Sequence, residues 1–147
     1  MSLFIINGVL VIAFFVISDL FYGGGFDLFF TPSVLIIMVI FPLLVQLVLY
    51  GKLFGKALSV PFKKSASKLE LNGAYSFFKT YGQTIWVTAI TTIALFILTM
   101  MRTLEDKSGL GPAYKLILDT ILYAGLLTLI IVLPYKGLIK KKLINYE

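Results

Sequence analysis

Thr84, Thr88, Thr91, Thr92 and Thr99 punctuate an otherwise apolar stretch, QTIWVTAITTIALFILTMM, from Gln83 to Met101. On a helix all five fall within a stripe about 100° wide. Hydroxyls aligned in this way have two uses, and the sequence leaves both open. They can bond back to their own helix and act as small packing residues. Alternatively, they can line a partly hydrated path beside a partner helix. A second set, Thr120, Ala124 and Thr128, recurs every four residues with Gly125 alongside. It makes a small-residue face that another helix can approach closely. Asp119 lies in the same stretch, with Lys115 four residues earlier, a spacing that lets the two pair on one helix face. A carboxylate in apolar surroundings is costly unless it meets protein or water. Asp119 is therefore either a paired group near a membrane boundary or a proton site or partner contact. Other chemistry is scarce. The chain has no cysteine and no histidine, which removes disulfides, thiol and zinc chemistry and imidazole acid–base catalysis. The acids are scattered, so no metal site and no cofactor are expected, and the chain is not expected to be an enzyme.

The elements that must carry these residues follow from composition. The 147 residues are 59% hydrophobic and only 14% charged, with a mean hydropathy of +0.99. Soluble domains carry about 25% charged residues, and a globule this small cannot bury so much apolar surface. Four runs approach the roughly 20 apolar residues that cross a bilayer. They cover about 3–22, 33–53, 83–101 and 114–134. None alternates as barrel strands do. The sequence thus predicts an all-α membrane protein, a single domain over 1–147 with four transmembrane helices and a short connecting segment, 54–82. The first run lacks a basic leader and a small-residue cleavage site, so it is read as a span and not as a signal peptide.

Lysines set the orientation. Lys52, Lys56, Lys63, Lys64, Lys68 and Lys79 surround the middle connection, and Lys136, Lys140, Lys141 and Lys142 follow the last span. Lysine-rich segments stay in the cytoplasm, so both termini and the middle segment are expected inside. The basic patches are read as topology signals and attraction to anionic lipid, with no nucleic-acid partner. The turn holding Gly23, Gly24 and Gly25 is expected outside, with Asp19 hydrated near it, Thr31 as an N-cap and Pro32 at the first helical position. Residues around Phe62–Leu71 suggest a short amphipathic surface helix, broken at Asn72-Gly73. Tyr22, Tyr81, Trp86 and Tyr135 are expected as interfacial anchors, and Gln46 as a cross-helix hydrogen bonder.

Two stretches resemble a known family. GGGFDLFFTPSVLII, from Gly23 to Ile37, resembles the first outer loop and second helix of MotA, a flagellar stator subunit. GLGPAYKLILDTILYAGLLTLIIVLPYKGLIKK, from Gly109 to Lys141, resembles the last helix of the MotA/TolQ/ExbB group, with Gly111-Pro112, Leu122-Tyr123 and Leu133-Pro134 at fitting spacings. The chain departs from that pattern in three places. The segment between spans two and three is far shorter than a stator's cytoplasmic domain, the small-residue pattern with Gly-Thr and a second Gly usual in the third helix is replaced by YGQTIWVTAITTIALF, and Thr120 stands one residue before the usual threonine position, which Ile121 holds. The resemblance implies a proton- or sodium-channel subunit of the bacterial inner membrane. Several copies, five by analogy, would surround a dimer of a single-span, carboxylate-bearing partner, and ion motive force would drive that partner. Thr84, Thr88, Thr91, Asp119, Thr120, Ala124 and Thr128 would then line the ion pathway or the partner-helix contact. With so little cytoplasmic mass, output would pass through the partner, as in the ExbB and TolQ systems. The alternatives are a small tetraspan scaffold or, ranked last, a four-helix exporter.

Overall fold

The structure is a computed structural model describing residues 2–22, 30–63, 65–102 and 109–146, with side chains of the first helix described at 6–17 and 20. Every described regular element is helical. Helix α1 spans Ser2–Tyr22, α2 Pro32–Tyr50, α3 Leu53–Ser59 and α4 Lys68–Arg102. A 3₁₀ turn, Val60–Phe62, follows α3. The last rod comprises α5 (Leu110–Leu127), a π-helical turn (Thr128–Val132) and α6 (Leu133–Ile144). Three helical rods are long and apolar enough to cross a membrane: Pro32–Tyr50, Lys68–Arg102 and Leu110–Ile144. In α1 the described apolar part is Ile6–Ile17, shorter than a span. The chain is thus an all-α, multi-pass membrane protein. Its outward faces agree, since Val48 is 84% exposed, Leu118 66% and Ile90 64%. Hydrocarbon, not water, suits such a surface. The glycine turn and residues 103–108 between α4 and α5 lie outside the described residues, as does the Asp19 side chain.

Two of the rods are much longer than their apolar runs. Thirty-five residues make a helix of about 52 Å, against a hydrocarbon thickness of about 30 Å. The segment expected as a short connection, 54–82, is therefore mostly helix: α3, its 3₁₀ turn and the first turns of α4. This corrects the reading of Phe62–Leu71 as a separate surface helix. The chain breaks before Ser67, and α4 runs unbroken through Asn72-Gly73. The reason is a reciprocal cap that the sequence reading missed. The Ser67 backbone N–H donates to Glu70 Oε2 at 3.0 Å, and the Glu70 N–H donates to Ser67 Oγ at 3.2 Å. The Ser-x-x-Glu spacing is the signal of such a box. The backbone hydrogen bond from Ser67, reinforced by Lys63, holds the Glu70 carboxyl below its ordinary value. Span two also ends earlier than expected. Gly51 takes a positive φ of 46° and its N–H bonds Leu47 O at 2.8 Å, closing α2 at Tyr50.

Past this point the helices build a core of their own. Leu71, Ala74, Phe77 and Phe78 of α4 pack with Ala57, Val60 and Ile139. Tyr81, expected as an interfacial anchor, belongs to the core, and Tyr135, expected in the same role, is half-buried against it. Tyr81 is 3% exposed and stacks on Phe77, and Tyr135 stacks on Phe78 with ring centroids 4.4 Å apart. Aromatic neighbours on adjacent helix turns outcompete the interface for these rings. Trp86 remains 41% exposed. The end of α6 is tied to this layer by Lys142, which donates to Pro61 O at 2.7 Å and Lys63 O at 2.6 Å, and by Tyr146, which donates to Ala66 O.

The π-helical turn has a local cause. The Leu133 N–H reaches back five residues to Thr128 O. In that register the next donor, to Leu129 O, would be residue 134, which is proline and has no N–H. The orphaned Leu129 carbonyl instead accepts from Asn7 Nδ2 of α1. A side chain from a neighbouring helix thus satisfies a backbone group that lipid would leave bare. Asn7→Leu is expected to cost about 1–2 kcal/mol. The cost should shrink in a Pro134→Ala background, where residue 134 regains its donor. Unfolding equilibria of the four variants in one detergent give the coupling energy.

Candidate functional site

The threonine stripe faces a groove between α2 and α4. Ile37, Phe41 and Val45 form one wall, and Gln83, Thr84, Val87, Thr88, Thr91 and Thr92 are on the other side, enclosing about 610 Å³. The helical period puts the threonines together. Pairing of the two antiparallel helices explains why they meet α2: Gln46 Nε2 donates to Thr84 Oγ1 at 3.1 Å, and Tyr50 Oη lies 3.1 Å from Thr80 Oγ1. Gln46 thus forms the cross-helix hydrogen bond expected of it.

Most of these hydroxyls are satisfied within their own helix. Thr84 donates to Thr80 O and Thr91 to Val87 O, each at 2.9 Å. Thr88 differs. Its side chain is 5% exposed, lines the groove and has no hydrogen-bond partner for Oγ1. Among the described residues one other buried side-chain polar atom shares this condition, Oε1 of fully buried Gln46. The Gln46–Thr84 bond leaves that carbonyl oxygen over, an acceptor in need of a donor. Orphaned polar atoms are unfavourable in a buried setting, and acyl chains offer no hydrogen bonds.

The second polar group lies at the other end of α2. Thr31 precedes α2 in the extended conformation of an N-cap, and Pro32 follows at the first helical position. Its hydroxyl, however, does not cap. It donates to Asp119 Oδ2 and accepts from Lys115 Nζ at 2.6 Å. Lys115 also reaches Asp119 directly at 2.8 Å, the pairing allowed by their spacing. The Thr31 N–H donates to Tyr123 Oη at 2.7 Å. A carboxylate with 7% of its side chain exposed competes for the threonine hydroxyl better than neutral amides do. The cluster pins the start of α2 to the side of α5. Thr31 and Tyr123 were not expected in this role, because nothing local in the sequence brings residue 31 to residue 119.

The seven residues singled out from the sequence therefore fall into separate places. Thr84, Thr88 and Thr91 line the groove. Asp119 belongs to the cluster with Lys115 and Thr31. Thr120 and Ala124 are fully buried within the chain, and Thr120 donates to Leu116 O. Thr128 opens the π-helical turn and donates to Ala124 O. No group of three or more metal-ligating side chains occurs among the described residues. Comparison with protein-family models, with curated proteins and with solved structures gives no match. The likeness to the MotA/TolQ/ExbB group thus rests on the quoted sequence stretches.

Proposed function

We propose that the chain is a subunit of a larger membrane assembly whose α2–α4 groove receives a transmembrane helix of a single-span partner. The observation that carries this reading is the groove itself, with apolar α2 side chains on one wall and the stripe of Thr84, Thr88, Thr91 and Thr92 on the other, backed by the unpaired hydroxyl of Thr88 buried in that wall. A partner helix would supply both the apolar surface that fills the groove and a polar side chain for the stripe. A lipid chain would supply only the first. In its finer form the reading follows the family resemblance. The assembly would be a proton- or sodium-driven motor of a bacterial inner membrane, with several copies of this chain around a carboxylate-bearing dimer. It would have four spans, with both termini cytoplasmic, and no enzymatic activity. A scaffold that holds the same partner without moving ions uses the same groove.

The native absence of cysteine makes the test clean. Thr91→Cys places one thiol in the groove, and Leu118→Cys places one on the exposed side of α5. In native membranes a thiol-directed cross-linker is expected to capture a single-span chain from residue 91 and not from residue 118. Capture of no such chain from residue 91, or equal capture from both sites, rejects the reading.

A further inference from the structure

Lysines at one end of the chain fall into two tiers. Tyr50, the last residue of α2, lies beside Thr80 of α4, and Tyr135 of α6 stacks on Phe78. Lys52, Lys79 and Lys136 follow or precede these contacts closely in the chain, so three segments carry a cation at one level. Helix α2 has 19 residues, a length of about 28 Å, close to the hydrocarbon thickness of about 30 Å. The first tier therefore marks the edge of the hydrocarbon, where lysines set topology and meet headgroups.

The second tier lies farther out. Along α4, Lys68 and Leu69 are about 16–18 Å beyond Thr80. Along α6, Lys140, Lys141 and Ile144 are about 8–14 Å beyond Tyr135. Tyr146, which donates to Ala66 O, ties the two rods together at this level. The headgroup layer adds only about 5–8 Å on each side. Leu69 is nevertheless 84% exposed and Ile144 60%. At that distance neither side chain reaches an acyl chain, so both stand in water.

This end also carries one sign of charge. Its acids are Glu70, held by Lys63 at 3.1 Å, and Glu147, which lies outside the described residues. Lys142 is engaged by the Pro61 and Lys63 carbonyls. Lys68, Lys140 and Lys141 are exposed and belong to neither ion pair found among the described residues. A second copy of this chain would meet like charge. Nucleic acid would find no stacking platform in Leu69 or Ile144. Carboxylates set around apolar side chains complement both the cations and the exposed aliphatic groups.

We propose that the outer tier docks an acidic segment of a soluble protein, with carboxylates on Lys68, Lys140 and Lys141 and apolar side chains on Leu69 and Ile144. The surface lies outside the α2–α4 groove, so it stands whether or not a partner helix fills that groove.

The test places the full chain in phosphatidylcholine nanodiscs and titrates a labelled helical peptide of mixed Glu and Leu, read by fluorescence anisotropy. Binding is expected to weaken about tenfold when Lys68→Gln and Lys141→Gln are combined, the scale of two exposed ion pairs. Leu69→Ser with Ile144→Ser should weaken it similarly, and Lys79→Gln, in the first tier, should leave it unchanged. A peptide with Gln in place of Glu should bind about tenfold more weakly. Equal binding of the two peptides overturns the assignment, as does binding that survives both outer-tier double variants or falls equally with Lys79→Gln. A short RNA bound more tightly than the peptide would also overturn it. So would quenching of a fluorophore at Leu69→Cys by headgroup spin-labelled lipid, which would place the surface on the membrane.

Discussion

Lys115→Met is expected to destabilise the chain by about 2 kcal/mol, read as a shift in its unfolding midpoint in detergent. Removing one partner of a buried ion pair costs about 3–5 kcal/mol, because the other charge stays buried and uncompensated. The value is discounted here since the Lys115 side chain is 40% exposed and solvent screens its half of the pair. Thr31 continues to donate to the carboxylate, which also softens the loss. The diagnostic comparison is the double variant. With Asp119→Asn added, no buried charge remains and most of the loss should be recovered. If the double variant is no more stable than Lys115→Met, Asp119 is not the uncompensated charge and the cluster has been misassigned. Unfolding of α2 from its first turn should accompany the single variant, since Thr31 joins α2 to the pair.

The second large effect is expected at Gly82. It is the point where α4 approaches the π-helical turn most closely among the described glycines. A Cβ at residue 82 would lie 3.0 Å from Cγ1 of Val132. Val132 is itself 3% exposed, so its methyl must give way among other core side chains. Gly82→Ala should cost about 1 kcal/mol and Gly82→Leu about 3 kcal/mol, the upper range for overpacking a filled core. The Leu variant must push α4 away from the last rod. Val132→Ala should rescue Gly82→Ala, leaving the double variant more stable than the sum of the two single costs implies. Additive costs would show that residues 82 and 132 do not compete for the same space.

These two sites mark what the sequence could and could not reveal. Periodicity alone placed Thr84, Thr88 and Thr91 on one face, and an i, i+4 spacing paired Lys115 with Asp119. Both are properties of a single helix, so one chain segment carries the information. The Ser67–Glu70 cap is equally local and was legible, but the Asn72-Gly73 pair drew the break to the wrong place. Asn7 is different. Its role depends on Pro134 stripping a donor from Leu129, 122 residues away, and on α1 lying against that turn. Thr31 likewise looked like a cap because its local neighbours allow one; the stronger acceptor arrives from α5. Gly82 carried only the faint signal of a glycine within a long helical stretch. Tyr81 was misplaced because the aromatic layer beyond the apolar spans is built by helices that run past their greasy segments.

Whether the α2–α4 groove seats a partner helix is decided by the composition of the native assembly. The chain would be purified from its host in mild detergent, alongside a Thr91→Leu variant, and both analysed by native mass spectrometry. A defined complex is expected, several copies of this chain with a single-span, carboxylate-bearing chain. The variant should lose that chain while keeping its own fold, because Thr91 lines the groove at an exposed position and the larger side chain extends into the groove and not into the core. A monomer, a complex lacking any single-span chain, or one whose partner is retained undiminished by the Thr91→Leu variant would overturn the reading.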